Sequence, residues 1–368
     1  MTVQSLAADI SVPLVGALIC VAPAVSRPTL KFGVRVPSLR AGAAVIRREQ
    51  RAYYWRTGLL GTCFTATAVT LAGSGSGWLT ALLLLLELAA GLACFWLARV
   101  RIAAAKNAEG WFTGLRQTVA TDTSWRTQPA RFPAPWLIPA IAVLAATAII
   151  GAVRYPGLPS HLAVHFTASG VPDRWARKSA WSAFATVVGQ LWVTALWAGL
   201  LQIIYRSRPD IDASDAAGST RCYRRFLVAY TRALLVLVAL VNVSLMLVAL
   251  RRWQVYRLSG IGGALPVLPA AAGFLILVAI ALRMGQAGSR LPGTGHGRDP
   301  AAGVNRDDDR FWKAGLIYIN HDDPAIMVGA RFGFGWTFNF GNPAAWLVFG
   351  AIVVVAAGLA VIRAVAGT

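Results

Sequence analysis

The stretch WLTALLLLLELAAGLACFWLAR, residues 78–99, carries one acidic residue, Glu87, and no basic one before Arg99. A helix rises 1.5 Å per residue, so roughly 20 apolar residues cross a hydrocarbon core about 30 Å thick. We therefore read 78–98 as a membrane span. Apolar runs of similar kind recur at about 5–24, 57–72, 136–153, 183–205, 227–250, 264–282 and 345–362. Together they predict about eight spans, with 57–72 and 78–98 forming a tight helical hairpin around GSGSG. Failure of the first or second run would reduce the number to six or seven.

Composition agrees. The chain has 368 residues, 57% of them hydrophobic and only 14% charged, too apolar for two soluble domains of that total length. Its net charge of +20 is distributed unevenly. The loops at 27–56, 99–131, 206–225 and 283–331 hold eight, six, five and seven Lys and Arg, whereas the loops between them hold none, four and three. Basic loops stay on the cytoplasmic side, so both termini and the 154–182 loop are expected outside. The basicity is thus a topological signal with a lesser role at anionic lipid headgroups, and no nucleic-acid partner is expected. The small-residue stretch APA at 22–24 resembles a cleavage site. No Lys or Arg precedes Arg27, however, so an uncleaved first span is expected. Cys20, Cys63 and Cys94 fall within spans and Cys222 in a basic loop, which gives no disulfide framework.

These features divide the chain into an N-terminal membrane region (1–135) and a unit at 136–205 built around the outer loop 154–182. A further membrane region follows (206–283), then a Gly-, Pro- and Asp-rich flexible linker (284–310), a β-rich cytoplasmic unit (311–344) and a final span (345–368). In RFGFGWTFNF, Phe332, Phe334, Trp336, Phe338 and Phe340 alternate with small or polar residues, which predicts one strand with a wholly aromatic face. That face could serve a partner or a membrane surface, but packing against helix ends near the final span is the favoured expectation.

The outer loop, YPGLPSHLAVHFTASGVPDRWARKSAW at 155–181, is the richest in chemistry. On a helix His161 and His165 would share a face and could hold a metal. The flanking prolines and glycine instead make LAVHF a short strand, in which four residues cover about 13 Å, too far for one ion. Asp173 could still fold back toward His165. Ser160 or Ser169 with His165 and Asp173 could be arranged as a nucleophilic set, yet nothing in the spacing selects it. Neither H-E-x-x-H nor G-x-S-x-G occurs, and HDDP at 321–324 reads as a turn. No catalytic residue, metal or cofactor is expected. Asp173 is expected to cap a helix beginning near Arg174. Within the spans Glu87 stands apart as a costly carboxylate, with Asn242 and Gln190 as expected neighbours and Arg232 snorkelling near an inner end. It points either to a proton or substrate path or to interhelical hydrogen bonding.

Leu158-Pro159, His165-Phe166, Gly170, Pro172-Asp173, Trp175 and Lys178 resemble the L-P-x(5)-H-[FW]-x(3)-G-x-[PA]-D-x-[WY]-x-x-K signature of a bacterial domain of unknown function, best known from Sdp-type toxin-immunity membrane proteins. Gly33-Val34-Arg35-Val36-Pro37 is similar to a G-[IV]-R-x-P element of the same proteins, in which it follows rather than precedes the His motif. YINHDDPAIMVGARFGFGWTFNFGNP resembles a second uncharacterised unit, frequent in actinobacterial membrane proteins. Ser160-His161 stand where the family usually carries an acid. The resemblance implies a non-enzymatic, multi-pass protein of the bacterial plasma membrane that meets an extracellular peptide toxin or signal. His165, Asp173, Arg174, Trp175 and Lys178 would contact that ligand, and a cytoplasmic protein partner would read the inner side. The alternative is a transporter or intramembrane enzyme using Glu87.

Overall fold

Each apolar run becomes a helix, and polar capping residues or prolines mark where several of them stop. The structure, a computed structural model, describes residues 3–71, 77–119, 127, 130–166, 171–207, 209–257, 260–293 and 303–365. Among these residues eight helices exceed sixteen residues: α1 (Val3–Val25), α2 (Ala44–Leu71), α3 (Gly77–Ala108), α4 (Ile138–Arg154), α5 (Ala180–Arg206), α6 (Ala216–Arg252), α7 (Leu268–Met284) and α8 (Pro343–Val365). All lie where the hydropathy predicts spans. Five of them, α3 to α7 with their flanking turns, are individually long and apolar enough to cross a bilayer. α1 and α8 qualify only as shorter apolar helices, and the C-terminal half of α2 is rich in threonine. The protein is an all-α, multi-pass membrane-type fold with small accessory strands.

Local chemistry sets the boundaries. Ser179 accepts from the Ser182 backbone N–H at 3.0 Å while the Ser182 hydroxyl accepts from Ser179 N–H at 2.9 Å, a capping box that starts α5. Asp215 caps α6 through the Gly218 N–H at 2.8 Å. Gly285, at φ 65°, lets the chain leave α7.

Helices α1, α2 and α3 pack on one another, and α6 gathers α4, α5 and α7 into a second bundle, with α1 touching α7. At one end of both bundles the four Lys- and Arg-rich loops fold together. Strands β1 (Leu30–Lys31) and β2 (Val34–Arg35) form a hairpin, and β3 (Gln117–Thr118) pairs in parallel with β6 (Val304–Asn305). β7 (Trp312–Lys313) pairs with β8 (Ile317–Tyr318), and β9 (Met327–Gly329) with β10 (Trp336–Phe338). At the opposite end β4 (His161–Phe166) and β5 (Pro172–Arg177) form an antiparallel hairpin.

Three expectations are corrected here. The aromatic alternation of 332–340 is not one strand face. Gly333 and Gly335 take φ values of 72° and 108°, so only Trp336–Phe338 is extended and the rings diverge. Phe332 enters the α1–α3 side against Phe95 (ring centroids 4.4 Å apart), Phe334 and Trp336 pack on Tyr230, and Phe338 and Phe340 meet Phe349 of α8. The aromatics are therefore spent joining helix groups, as the packing expectation held, and the set reaches well beyond the final span. Residues 285–293 and 303–310, within the composition-defined linker, are built into the fold: Gln286 is buried and Asp308 and Asp309 anchor an ion cluster. Residues 294–302 lie outside the described set. Finally, Asp173 and Arg174 lie within β5 rather than at a helix start, because Ser179 takes the cap.

Candidate functional site

The β4–β5 hairpin buries part of its first strand and exposes most of its second. In β4, Leu162 and Ala163 are buried while His161 and His165 are exposed. In β5 the exposed residues are Asp173, Arg174, Trp175 and Arg177. A register shift between Ala163 and His165 places His165 opposite Arg174. Nδ1 of His165 then lies 2.6 Å from Oδ1 of Asp173, with the two side chains 50% and 41% exposed. The hydrogen bond from His165 holds the Asp173 carboxyl below its ordinary range, outweighing desolvation. The carboxylate can only accept, so Nδ1 of His165 carries the hydrogen of this bond. Trp175 stands beside this pair, half exposed.

Lys178 differs from its companions. Its ammonium donates to the carbonyls of Pro156 and Leu158, both at 3.1 Å, and lies 5.0 Å from the Tyr155 ring centroid. It ties the hairpin to the end of α4, so His165, Asp173, Arg174 and Trp175 share the surface while Lys178 positions it. Gly170, Ser169 and the remainder of the turn lie outside the described residues.

The hairpin is pinned by residues that sequence reading missed. Arg252, at the end of α6, donates to the carbonyls of Ser182 (3.1 Å) and Val164 (3.3 Å). The Trp253 indole donates to Ala183 O at 3.1 Å and packs with Leu158, Leu162, Ala183 and Ala249. Arg251 sits over the Phe166 ring, 4.6 Å from its centroid. The signal was present as Arg251-Arg252-Trp253 closing a span, but it reads equally well as interfacial snorkelling.

The opposite ends of the bundles hold a second polar assembly. Arg35 contacts Asp308 at 2.6 Å and Asp210 at 3.1 Å. Arg331, 2% exposed, bridges Asp308 and Asp309, and Lys106 reaches Asp307 and Asp309 at 2.7 Å each. Burial alone would raise the Asp309 carboxyl, but Arg331 and Lys106 outweigh it and hold the group below the usual carboxylate range. Beside the cluster lies an open cavity of about 380 Å³, lined on one side by Arg35 and Arg331 and on the other by Tyr318, Asn320, Asp322 and Asp323. Burial pushes the Tyr318 hydroxyl up to about 12, and it donates to Asp323 at 3.0 Å. Asn339 organises that wall: its amide donates to the carbonyls of Asn320, Asp323 and Ala325 while its oxygen accepts from the N–H groups of Asn320 and Gly341.

Inside the bundles the polar residues separate. Gln190 donates to Thr147 Oγ1 (3.0 Å) and Asn242 O (2.8 Å), and Asn242 donates to Ala140 O (3.0 Å) and Thr194 Oγ1 (2.9 Å), a node joining α4, α5 and α6. Glu87 is elsewhere, against Gly16 of α1 and Gly61 of α2. The expectation that Asn242 and Gln190 neighbour Glu87 is thus corrected, because α3 packs in the other bundle. Arg232 lies over Trp136 at 5.5 Å, near the inner end of the second bundle. No group of three or more His, Cys, Asp or Glu suited to a metal ion occurs among the described residues.

A family model described as a domain of unknown function (DUF1648) matches residues 142–191, spanning most of α4, the hairpin and the first part of α5. A second, described as a family of unknown function (DUF5808), matches residues 321–346, the wall organised by Asn339. Neither a curated protein nor a solved structure is matched by the chain.

Proposed function

We propose that this chain is a bacterial plasma-membrane protein of the toxin-immunity or signal-sensing kind. It would receive an extracellular peptide at the outer hairpin and convey its presence inward without catalysing a reaction. The observation that carries this reading is the construction of α6. It has 37 residues, about 55 Å at the helical rise, which exceeds the bilayer core. One end supplies Arg251, Arg252 and Trp253 to the hairpin. The other supplies Tyr223, Phe226 and Tyr230 to the inner module. A single helix therefore touches both the hairpin that carries His165, Asp173, Arg174 and Trp175 and the module that contains the ion cluster. Exposed charge beside an exposed indole suits a peptide with polar groups and an apolar anchor. The matching 142–191 and 321–346 segments sit at these two ends, and the likeness to Sdp-type immunity proteins supports the peptide assignment. With the basic loops in the cytoplasm, both termini lie outside and the inner module faces a cytoplasmic protein partner.

The test places a photo-crosslinking amino acid at Trp175 in the full-length protein in its native membrane. An adduct with a secreted peptide, lost when His165 and Asp173 are both replaced by alanine, is expected. Adducts confined to lipid, with protein insertion unchanged, would refute the reading.

A further inference from the structure

We infer that Glu87 is a reversible proton-binding site within the α1–α3 bundle. Glu87 is 3% exposed, and neither carboxyl oxygen has a hydrogen-bond partner. Its neighbours are backbone. A Cβ on Gly16 would lie 2.6 Å from Oε1, and one on Gly61 would lie 3.8 Å from it. One turn along α3, a Cβ on Gly91 would meet Ile19 at 2.8 Å. Three glycines thus draw three helices around one carboxyl.

A carboxylate there has neither donor nor cation to replace its hydration, so the neutral acid is the form this packing can hold. A residue serving only as interhelical glue shows the bonds it makes, as Gln190 and Asn242 do. Glu87 makes none, which removes the purely adhesive explanation.

The ligand chemistry follows from what surrounds it. A metal cation takes several oxygen ligands, whereas nearby carbonyls are engaged in helix hydrogen bonds. A proton needs one carboxyl. The titratable and charged groups of the three packed helices are few at this depth. From Ser11 to Val25, α1 offers Cys20 alone. α2 offers Cys63, Tyr54, Arg56 and Tyr53, the last spent on the Ile19 carbonyl at 2.8 Å. α3 itself offers Cys94. Glu49, Arg51 and Arg99 lie further toward the inner end. Arg56, the cation of α2 closest in sequence to Gly61, is turned by about 140° to a different face of the helix, so the carboxyl is left to apolar packing. This inference stands apart from the outer hairpin and does not rest on it.

The test uses the full-length protein in lipid nanodiscs with dicyclohexylcarbodiimide, which reacts with protonated carboxyls in apolar surroundings, followed by adduct mapping by mass spectrometry. The expected result is an adduct at Glu87, absent in Glu87→Gln, whose rate falls about tenfold or more between about pH 5 and pH 9. A labelling rate independent of pH overturns the proposal. Infrared difference spectra of wild type against Glu87→Gln give a reading independent of reagent access. A protonated-carboxyl band that disappears as pH rises supports the site, and one that persists throughout, or is absent at every pH, refutes it.

Discussion

The indole of Trp253 is 2% exposed and fills the notch left by Gly151, where a Cβ would lie 2.6 Å from the ring. It also supplies the hydrogen bond to Ala183 that ties the end of α6 to the start of α5. Trp253→Ala should cost about 3–5 kcal/mol, the range for emptying an aromatic core site, and Gly151→Ala should destabilise by forcing the same ring aside. Thermal denaturation in detergent should register both. Hydrogen exchange should rise first in β4 and β5, and equal loss of protection across the inner module would contradict the assignment. Asn339 is the corresponding residue inside. Replacing it with alanine leaves buried carbonyl and amide groups unpaired at about 1–3 kcal/mol each, so protection across residues 318–342 should collapse. Neither residue was singled out from sequence: an asparagine between two phenylalanines and a tryptophan at a span end look ordinary until their partners are known.

The inner ion cluster binds elements that no local pattern connects. Arg35 of β2, Lys106 of α3 and Arg331 after β9 converge on the acidic run 307–309. The Asp309 carboxyl is held below its ordinary range, so its contribution to stability is complete above about pH 4, the unfolded carboxylate value. It is lost as pH falls through the lower folded value. Amide protection in β2 and in β7–β8 should therefore be flat from about pH 7 to 5 and decline below about pH 4. Asp309→Asn should weaken the module at neutral pH, because Arg331 and Lys106 lose a partner, and should flatten the acid decline. A decline centred near neutrality would point to another group.

For the whole molecule, the alternation of loops between two sides is the feature with most consequence. The four basic loops meet in one module, and the hairpin lies at the other end of α4, α5 and α6. Ser160 and Asp322 are exposed at these opposite ends. Single cysteines at the two positions, in a chain freed of its native cysteines, should react with a membrane-impermeant thiol reagent from opposite faces; reaction from the same face would sink the arrangement. The length of the apolar runs determined the helices, since hydrocarbon thickness leaves few alternatives, and the charge asymmetry determined which loops share a side. The flanking prolines and glycine determined that LAVHF is a strand rather than a helix. Tertiary structure alone decided that residues 303–310 are structural, that the 332–340 aromatics diverge to three helix groups, and that Glu87 faces glycines rather than Asn242. The reason is common to all three. An ion pair or ring contact spanning some 270 residues, such as Arg35 with Asp308, leaves no periodicity in sequence, and which bundle a helix joins depends on surface fit between partners chosen only when the chain is packed.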